Sequence, residues 1–140
     1  MAGWSLWIDD AGRPSYTYNC FGHDITTIRA DVALSPGRHE IRVLYVHDGG
    51  FGAGGTFRLF VDDAEVARAT VERTVPVIFS MSGETFDVGT DTGSPVGPYP
   101  HDYACTATIE TVTLERLGEP DAKTRKEMLE GEFRAGMSTQ

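Results

Sequence analysis

The sequence has little that would mark a membrane span, a disulfide scaffold or a familiar catalytic centre. No apolar stretch approaches the roughly 18 residues of a spanning helix. The first ten residues, MAGWSLWIDD, turn acidic at once, unlike the basic and then long apolar start of a secretory leader, and this points to the cytoplasm. Two cysteines, Cys20 and Cys105, are too few for a disulfide framework. Both stand in apolar, strand-like settings, which reads as two buried thiols, with one bridge between strands as the alternative. Basic residues are scarce beside acidic ones, 12 against 21, and the net charge of -9 repels phosphate backbones and anionic headgroups. Nucleic acid and acidic membrane are therefore excluded as natural partners. There is no G-x-S-x-G elbow, no H-E-x-x-H helix and no cysteine beside a recognisable base.

What the chain does have is a regular alternation. Its 140 residues suit one domain, and 40% hydrophobic and 10% aromatic residues provide for a core. Trp4, Leu6 and Ile8 alternate with Ser5 and Trp7; Ile41, Val43 and Tyr45 with Arg42, Leu44 and Val46; Phe57, Leu59 and Val61 with Thr56, Arg58 and Phe60. This period of two predicts strands. Further strands are expected over Ser15 to Phe21, Ile25 to Asp31, Glu65 to Val71, Val75 to Ser80 and Ala104 to Leu117. Asp9-Asp10-Ala11-Gly12, Ser35-Pro36-Gly37 and Asp62-Asp63-Ala64 supply the turns, the last as a hairpin. Many short strands without a helical pattern predict an all-β fold, an antiparallel β-sandwich of jelly-roll type.

In the last expected strand Ala107 and Ile109 are out of phase with Val112 and Leu114, so a bulge near Glu110-Thr111 is required if one face is to turn inward. Residues 1–117 form the domain. Residues 118–140 form a charged tail in which Leu129, Phe133 and Met137 recur at helical spacing, interrupted by two glycines, so a short helix or disorder is expected.

Three motifs invite a functional reading. Gly50 to Gly55 fits G-x-G-x-x-G, but a strand follows where a phosphate site needs a helix N-terminus, so the segment is a flexible loop. His23-Asp24, His47-Asp48 and His101-Asp102 have metal-ligand chemistry, yet neighbours on a strand point to opposite faces, and ordinary loop polarity is the simpler reading. The stretch from Asp87 to Val96 departs from an EF-hand at Gly89, Thr92 and Pro98. It reads as a shaped loop in which Asp91 or Ser94 bonds its own backbone.

Taken together, Gly3-Trp4-Ser5-Leu6, Tyr18-Asn19-Cys20-Phe21-Gly22, Ser35-Pro36-Gly37-Arg38-His39, Asp48-Gly49-Gly50 through Gly54-Gly55-Thr56, Val61-Asp62, Val71-Glu72-Arg73-Thr74-Val75-Pro76, and Thr85 to Gly89 with Asp91 to Val96 form an ordered series. It resembles the C-terminal region of large bacterial arylsulfatases, over about residues 3 to 117. The resemblance implies a β-sandwich packed on an α/β catalytic domain that hydrolyses sulfate esters with a formylglycine, made from the cysteine of C-x-P-S-R, and a calcium ion. Cys20 precedes Phe-Gly-His-Asp and Cys105 precedes Thr-Ala-Thr-Ile, so neither qualifies. No catalytic, cofactor-binding or metal-binding residue is assigned to this chain. The resemblance further implies a missing strand before Trp4, and hence an exposed edge open to a homodimer, a sulfatase catalytic domain or the tail. It implies a glycine where Asp63 stands. The loop at Asp87 to Val96 is expected to meet the catalytic domain.

The first reading is thus a non-catalytic accessory domain or fragment of a sulfuric ester hydrolase. A stand-alone carbohydrate-binding module is the alternative, with Trp4, Trp7, Tyr16 and Tyr18 as its rings, although core packing is the simpler role for them. A metal hydrolase built on the His-Asp loops is the third.

Overall fold

The structure, a computed structural model, describes residues 2–76 and 86–118 together with Lys126 and Glu130. It is all-β, as the alternation predicts, and consists of two antiparallel three-stranded sheets. Strands β1 (Gly3–Ile8), β2 (Pro14–Cys20) and β3 (Asp24–Arg29) form the first, in that order. Strands β4 (Ile41–His47), β5 (Ala53–Val61) and β6 (Ala64–Arg73) form the second.

Register decides what each face carries. Trp4 pairs with Tyr18 and Leu6 with Tyr16, so these four share one face of the first sheet. That face meets the second sheet, and the buried cluster of Tyr16, Tyr18, Cys20, Ile28, Phe57, Leu59 and Val71 draws on both sheets. Phe57 is its hub, with ring centroids 5.0 Å from Tyr16, 5.2 Å from Tyr18 and 4.3 Å from Tyr45. Each such side chain contributes roughly 1.5–3 kcal/mol by leaving water. The phenols remain satisfied: Tyr45 donates to the Gly54 carbonyl at 3.1 Å, and Tyr18 accepts from the Val75 N–H at 2.7 Å. Burial raises the Tyr16 hydroxyl far above its usual range and pushes Tyr45 up to about 12.

The other face of the first sheet carries Ser15, Thr17 and Asn19, all buried although polar. They are covered by the loop after Phe86. Asn19 donates through its side-chain amide to the Val96 carbonyl at 3.1 Å. Trp7 donates through Nε1 to the Thr17 hydroxyl at 3.1 Å, and its ring lies 5.1 Å from that of Tyr99. Gly97 passes so close that a Cβ there would sit 3.0 Å from Thr17 Oγ1 and 2.7 Å from Tyr99 Cε1, which explains the glycine. Within the loop Asp91 accepts from the Gly93 N–H at 3.2 Å and from the Tyr99 hydroxyl at 2.8 Å, as a self-bonded loop should. The stretch expected to face a separate domain therefore lays part of its length on its own sheet.

The turns follow their chemistry. The Asp9 carboxylate accepts from the N–H groups of Ala11 and Arg13 at 3.0 and 2.9 Å, closing the β1–β2 hairpin. Asp62 and Asp63 adopt φ of 48° and 66° and join β5 to β6, the left-handed pair that a two-residue hairpin requires.

Four expectations are corrected. Ala104 to Leu117 is not a strand among the described residues: after a single bridge between Thr90 and Ala104 no ladder to another described residue follows. Alternation alone does not make a strand, because N–H and C=O groups need a partner edge, and the two conflicting phases of this segment offer no single face to one. With no ladder there, the bulge falls elsewhere, between Leu59 and Phe60 of β5. Gly54 and Gly55 belong to β5 and are buried, so only the first part of Gly50 to Gly55 is loop. Of the strand expected over Val75 to Ser80, Val75 and Pro76 are not in a strand, and residues 77–80 lie outside the described set. In the tail only Lys126 and Glu130 are described. Both are helical, with their charged groups 3.9 Å apart at i,i+4, and the remainder of the tail expectation lies outside the described residues.

Candidate functional site

The residues with metal-ligand chemistry are scattered. Asp24 pairs with Arg73 at 2.6 Å, tying β3 to β6. The His47 Nδ1 accepts from the Gly49 N–H at 3.1 Å, and His101 and Asp102 contact each other at 3.0 Å on an exposed turn. Among the described residues no three of His, Cys, Asp and Glu come together. Cys20 is a buried free thiol as expected, whereas Cys105 is free and exposed, because it follows the last bridge and no sheet covers it.

One constellation escaped the sequence. His39 Nδ1 lies 2.7 Å from Asp62 Oδ2, while Nε2 lies 3.3 Å from Ser35 Oγ and 2.7 Å from the Ser35 carbonyl oxygen. The connectivity is that of a Ser-His-Asp relay. Its protonation is not. Carboxylate and carbonyl oxygens only accept, so the arrangement favours a ring with hydrogen on both nitrogens, the imidazolium. The Asp62 carboxylate, and then the Ser35 carbonyl, raise the His39 pKa, and His39 in turn lowers that of Asp62. An imidazolium has no lone pair with which to take a serine proton. The group acts as a staple between the loop at Ser35 and the β5–β6 hairpin, where Asp62 also accepts from the Glu40 N–H at 2.9 Å. The i,i+4 spacing of Ser35 and His39 was a signal; Asp62, 23 residues on, was not.

Two surfaces remain. At one side of the molecule the edge strands β1 and β4 leave the core partly open. Trp4 and Leu6, on the inward face of β1, are still 37% and 41% exposed, and the Phe86 ring lies 5.6 Å from that of Trp4, tilted by 49°. The segment after Ala104 adds exposed Ile109, Val112, Leu114 and Leu117, with Glu110 paired to Arg38 at 2.8 Å. Scattered apolar residues are ordinary on a surface; a run of them on backbone without a ladder is not. The second surface is a shallow cleft of about 310 Å³ where Trp7, Asp10, Arg13, Arg29 and Tyr103 converge from the ends of β1, β2 and β3 and from the covering loop. Of the four rings considered for sugars, Tyr16 and Tyr18 are core residues, Trp4 borders the open edge, and Trp7 lines the cleft. Comparison with family models, with curated proteins and with solved structures yields no match to this chain.

Proposed function

We propose that the chain is a non-catalytic C-terminal accessory domain or fragment of an arylsulfatase-type sulfuric ester hydrolase, which packs on a catalytic domain not contained in this sequence. The formylglycine and calcium of that chemistry belong to the partner, since neither Cys20 nor Cys105 stands in C-x-P-S-R. The observation that carries the reading is the run Ile109, Val112, Leu114 and Leu117, half or more exposed for the last three, in a segment that has no ladder among the described residues. Such a segment gains both a ladder and apolar cover when another surface meets it. The resemblance over residues 3 to 117 supplies the kind of partner. The fold's all-β architecture agrees with the role that the resemblance implies.

The test is a titration of the purified chain with a sulfatase catalytic chain that carries C-x-P-S-R and lacks its own C-terminal region. The expected result is a one-to-one complex, weakened at least about tenfold by Leu114→Asp, with no turnover of a chromogenic sulfate ester by the chain alone. Turnover by the chain alone, or equal association with an unrelated α/β hydrolase, overturns the reading. Self-association through the β1 edge at the expense of the catalytic chain also overturns it.

A further inference from the structure

The cleft beside Trp7 is independent of the open edge and lies where no catalytic partner is needed to complete it. It is built around Asp9, which is not available to a ligand. One carboxylate oxygen accepts from the backbone N–H groups of Ala11 and Arg13. The other accepts from Arg13 Nε at 2.9 Å and Nη2 at 2.8 Å and lies 3.3 Å from Arg29 Nε. Asp9 is therefore held below the usual carboxylate range, first by the Arg13 backbone N–H. Its role is to fix two guanidinium groups in place. Arg29 is set further by Ser15 Oγ, 3.1 Å from Nε, and lies 5.6 Å from the centre of the Trp7 ring.

The groups facing the opening are different. Its walls are the half-buried rings of Trp7 and Tyr103, which meet edge to face at 6.2 Å. Its polar contacts are the exposed Asp10 carboxylate and the outer nitrogens of the two arginines. Tyr103 is held upright because its hydroxyl lies 2.8 Å from the Ile8 carbonyl and 3.1 Å from Asp10. Asp9 and Asp10 balance Arg13 and Arg29, so the cleft has no net charge to draw an anion. What it offers is an apolar corner of two rings set at 85° to each other, with Tyr103 stacked on Tyr99 at 5.4 Å, flanked by one strong acceptor and two strong donors already in position before a ligand arrives. A flat ring with an apolar C–H face and hydroxyl groups around its rim matches that arrangement. An alkyl or purely aromatic ligand would make no use of the remaining hydrogen-bonding capacity of Asp10 and the two guanidinium groups and would shield it from water.

We infer that the cleft formed by Trp7, Asp10, Arg13, Arg29 and Tyr103 is a binding site for a neutral pyranose. The sugar's C–H face lies on the aromatic wall, its hydroxyls donate to Asp10 and they accept from the arginines. The site makes the domain a sugar-binding module in addition to a docking one.

The chain has two tryptophans, so two indole N–H signals report separately on the two surfaces, and a Trp4→Phe variant assigns them. The probes are the methyl glycosides of glucose, galactose, mannose and N-acetylglucosamine, with inorganic sulfate and glucose 6-sulfate as charged comparisons. At least one neutral glycoside is expected to shift the Trp7 signal saturably while leaving Trp4 in place. Tyr103→Ala is expected to weaken binding about tenfold, the scale of one lost stacking contact. Because Tyr103 also anchors the loop, Asp10→Ala serves as the second variant. It is exposed, should leave the melting temperature unchanged, and should likewise cost about tenfold. The inference is overturned if no neutral glycoside moves Trp7, if Asp10→Ala binds as the wild type does, or if only the sulfated probes bind.

Discussion

Replacing Thr17 by valine tests how the polar side chains beneath the covering loop are held on the first sheet. Thr17 has no exposed surface; its hydroxyl accepts from Trp7 Nε1 at 3.1 Å and lies 2.9 Å from Thr27 Oγ1. Valine keeps the shape and removes the oxygen. The indole N–H then loses its partner beneath the loop, at a cost of about 1–3 kcal/mol, while the added methyl gains up to about 0.8 kcal/mol. Trp7 is only partly buried, so water relieves some of the cost and a net loss of about 1 kcal/mol is expected. Thr27 is exposed, and its hydroxyl turns to solvent at little cost. The control Thr27→Val should therefore cost less than about 0.5 kcal/mol. Urea unfolding followed by tryptophan fluorescence gives both values, with m unchanged. A cycle with Trp7→Phe should return a coupling near 1 kcal/mol. If Thr17→Val costs no more than Thr27→Val, or if the cycle shows no coupling, the hydroxyl does not hold the Trp7 indole and the reasoning fails.

Three further outcomes are expected. Gly55→Ala places a Cβ 2.3 Å from the Val46 carbonyl oxygen and 2.6 Å from Tyr45 Cε2. Neither neighbour can withdraw freely, so thermal unfolding should show a loss of roughly 3 kcal/mol, the upper end of overpacking costs. Asp63→Gly relieves a left-handed residue at φ 66° and gives up only an exposed contact to Arg42, so a gain of about 0.5 kcal/mol in urea unfolding is expected. His39 has its folded pKa raised above the ordinary 6.5, so its stabilisation is full below that value and fades as pH rises through the folded one. Asp62, lowered from 3.8, contributes fully above that value and loses its contribution as pH falls through the folded one. The melting advantage of wild type over His39→Gln should thus shrink as pH rises above the ordinary value of 6.5; an advantage that does not change with pH would rule out the charged staple.

The strands that carry the core were legible because alternation records which face is buried. Trp4, Leu6 and Ile8, or Phe57, Leu59 and Val61, declare their period without reference to anything distant. The hairpin at Asp62-Asp63 was legible for a similar reason, since its backbone angles are a local demand. Burial on the outer face of β2 was not. Ser15, Thr17 and Asn19 look like a solvent face, and the segment that covers them arrives 77 residues later, where Asn19 meets Val96. The Ala104 to Leu117 segment shows the converse: its residue types favour a strand, but a ladder depends on an edge that the segment does not itself specify. The cleft was half visible. Trp7 was among the expected sugar-facing rings, while Tyr103 and the two arginines joined it only through the turn at Asp9 and the return of the loop.

The role as a docking domain turns on what happens to residues 106–117 when a catalytic chain is present. Amide hydrogen exchange measures it directly, residue by residue. The docking reading predicts fast exchange across Thr106 to Leu117 in the isolated chain and slow exchange of those amides once a C-x-P-S-R catalytic chain is added, with β2 and β5 protected in both states. Protection of the segment in the isolated chain, or exchange that stays fast in the presence of the partner, would contradict it.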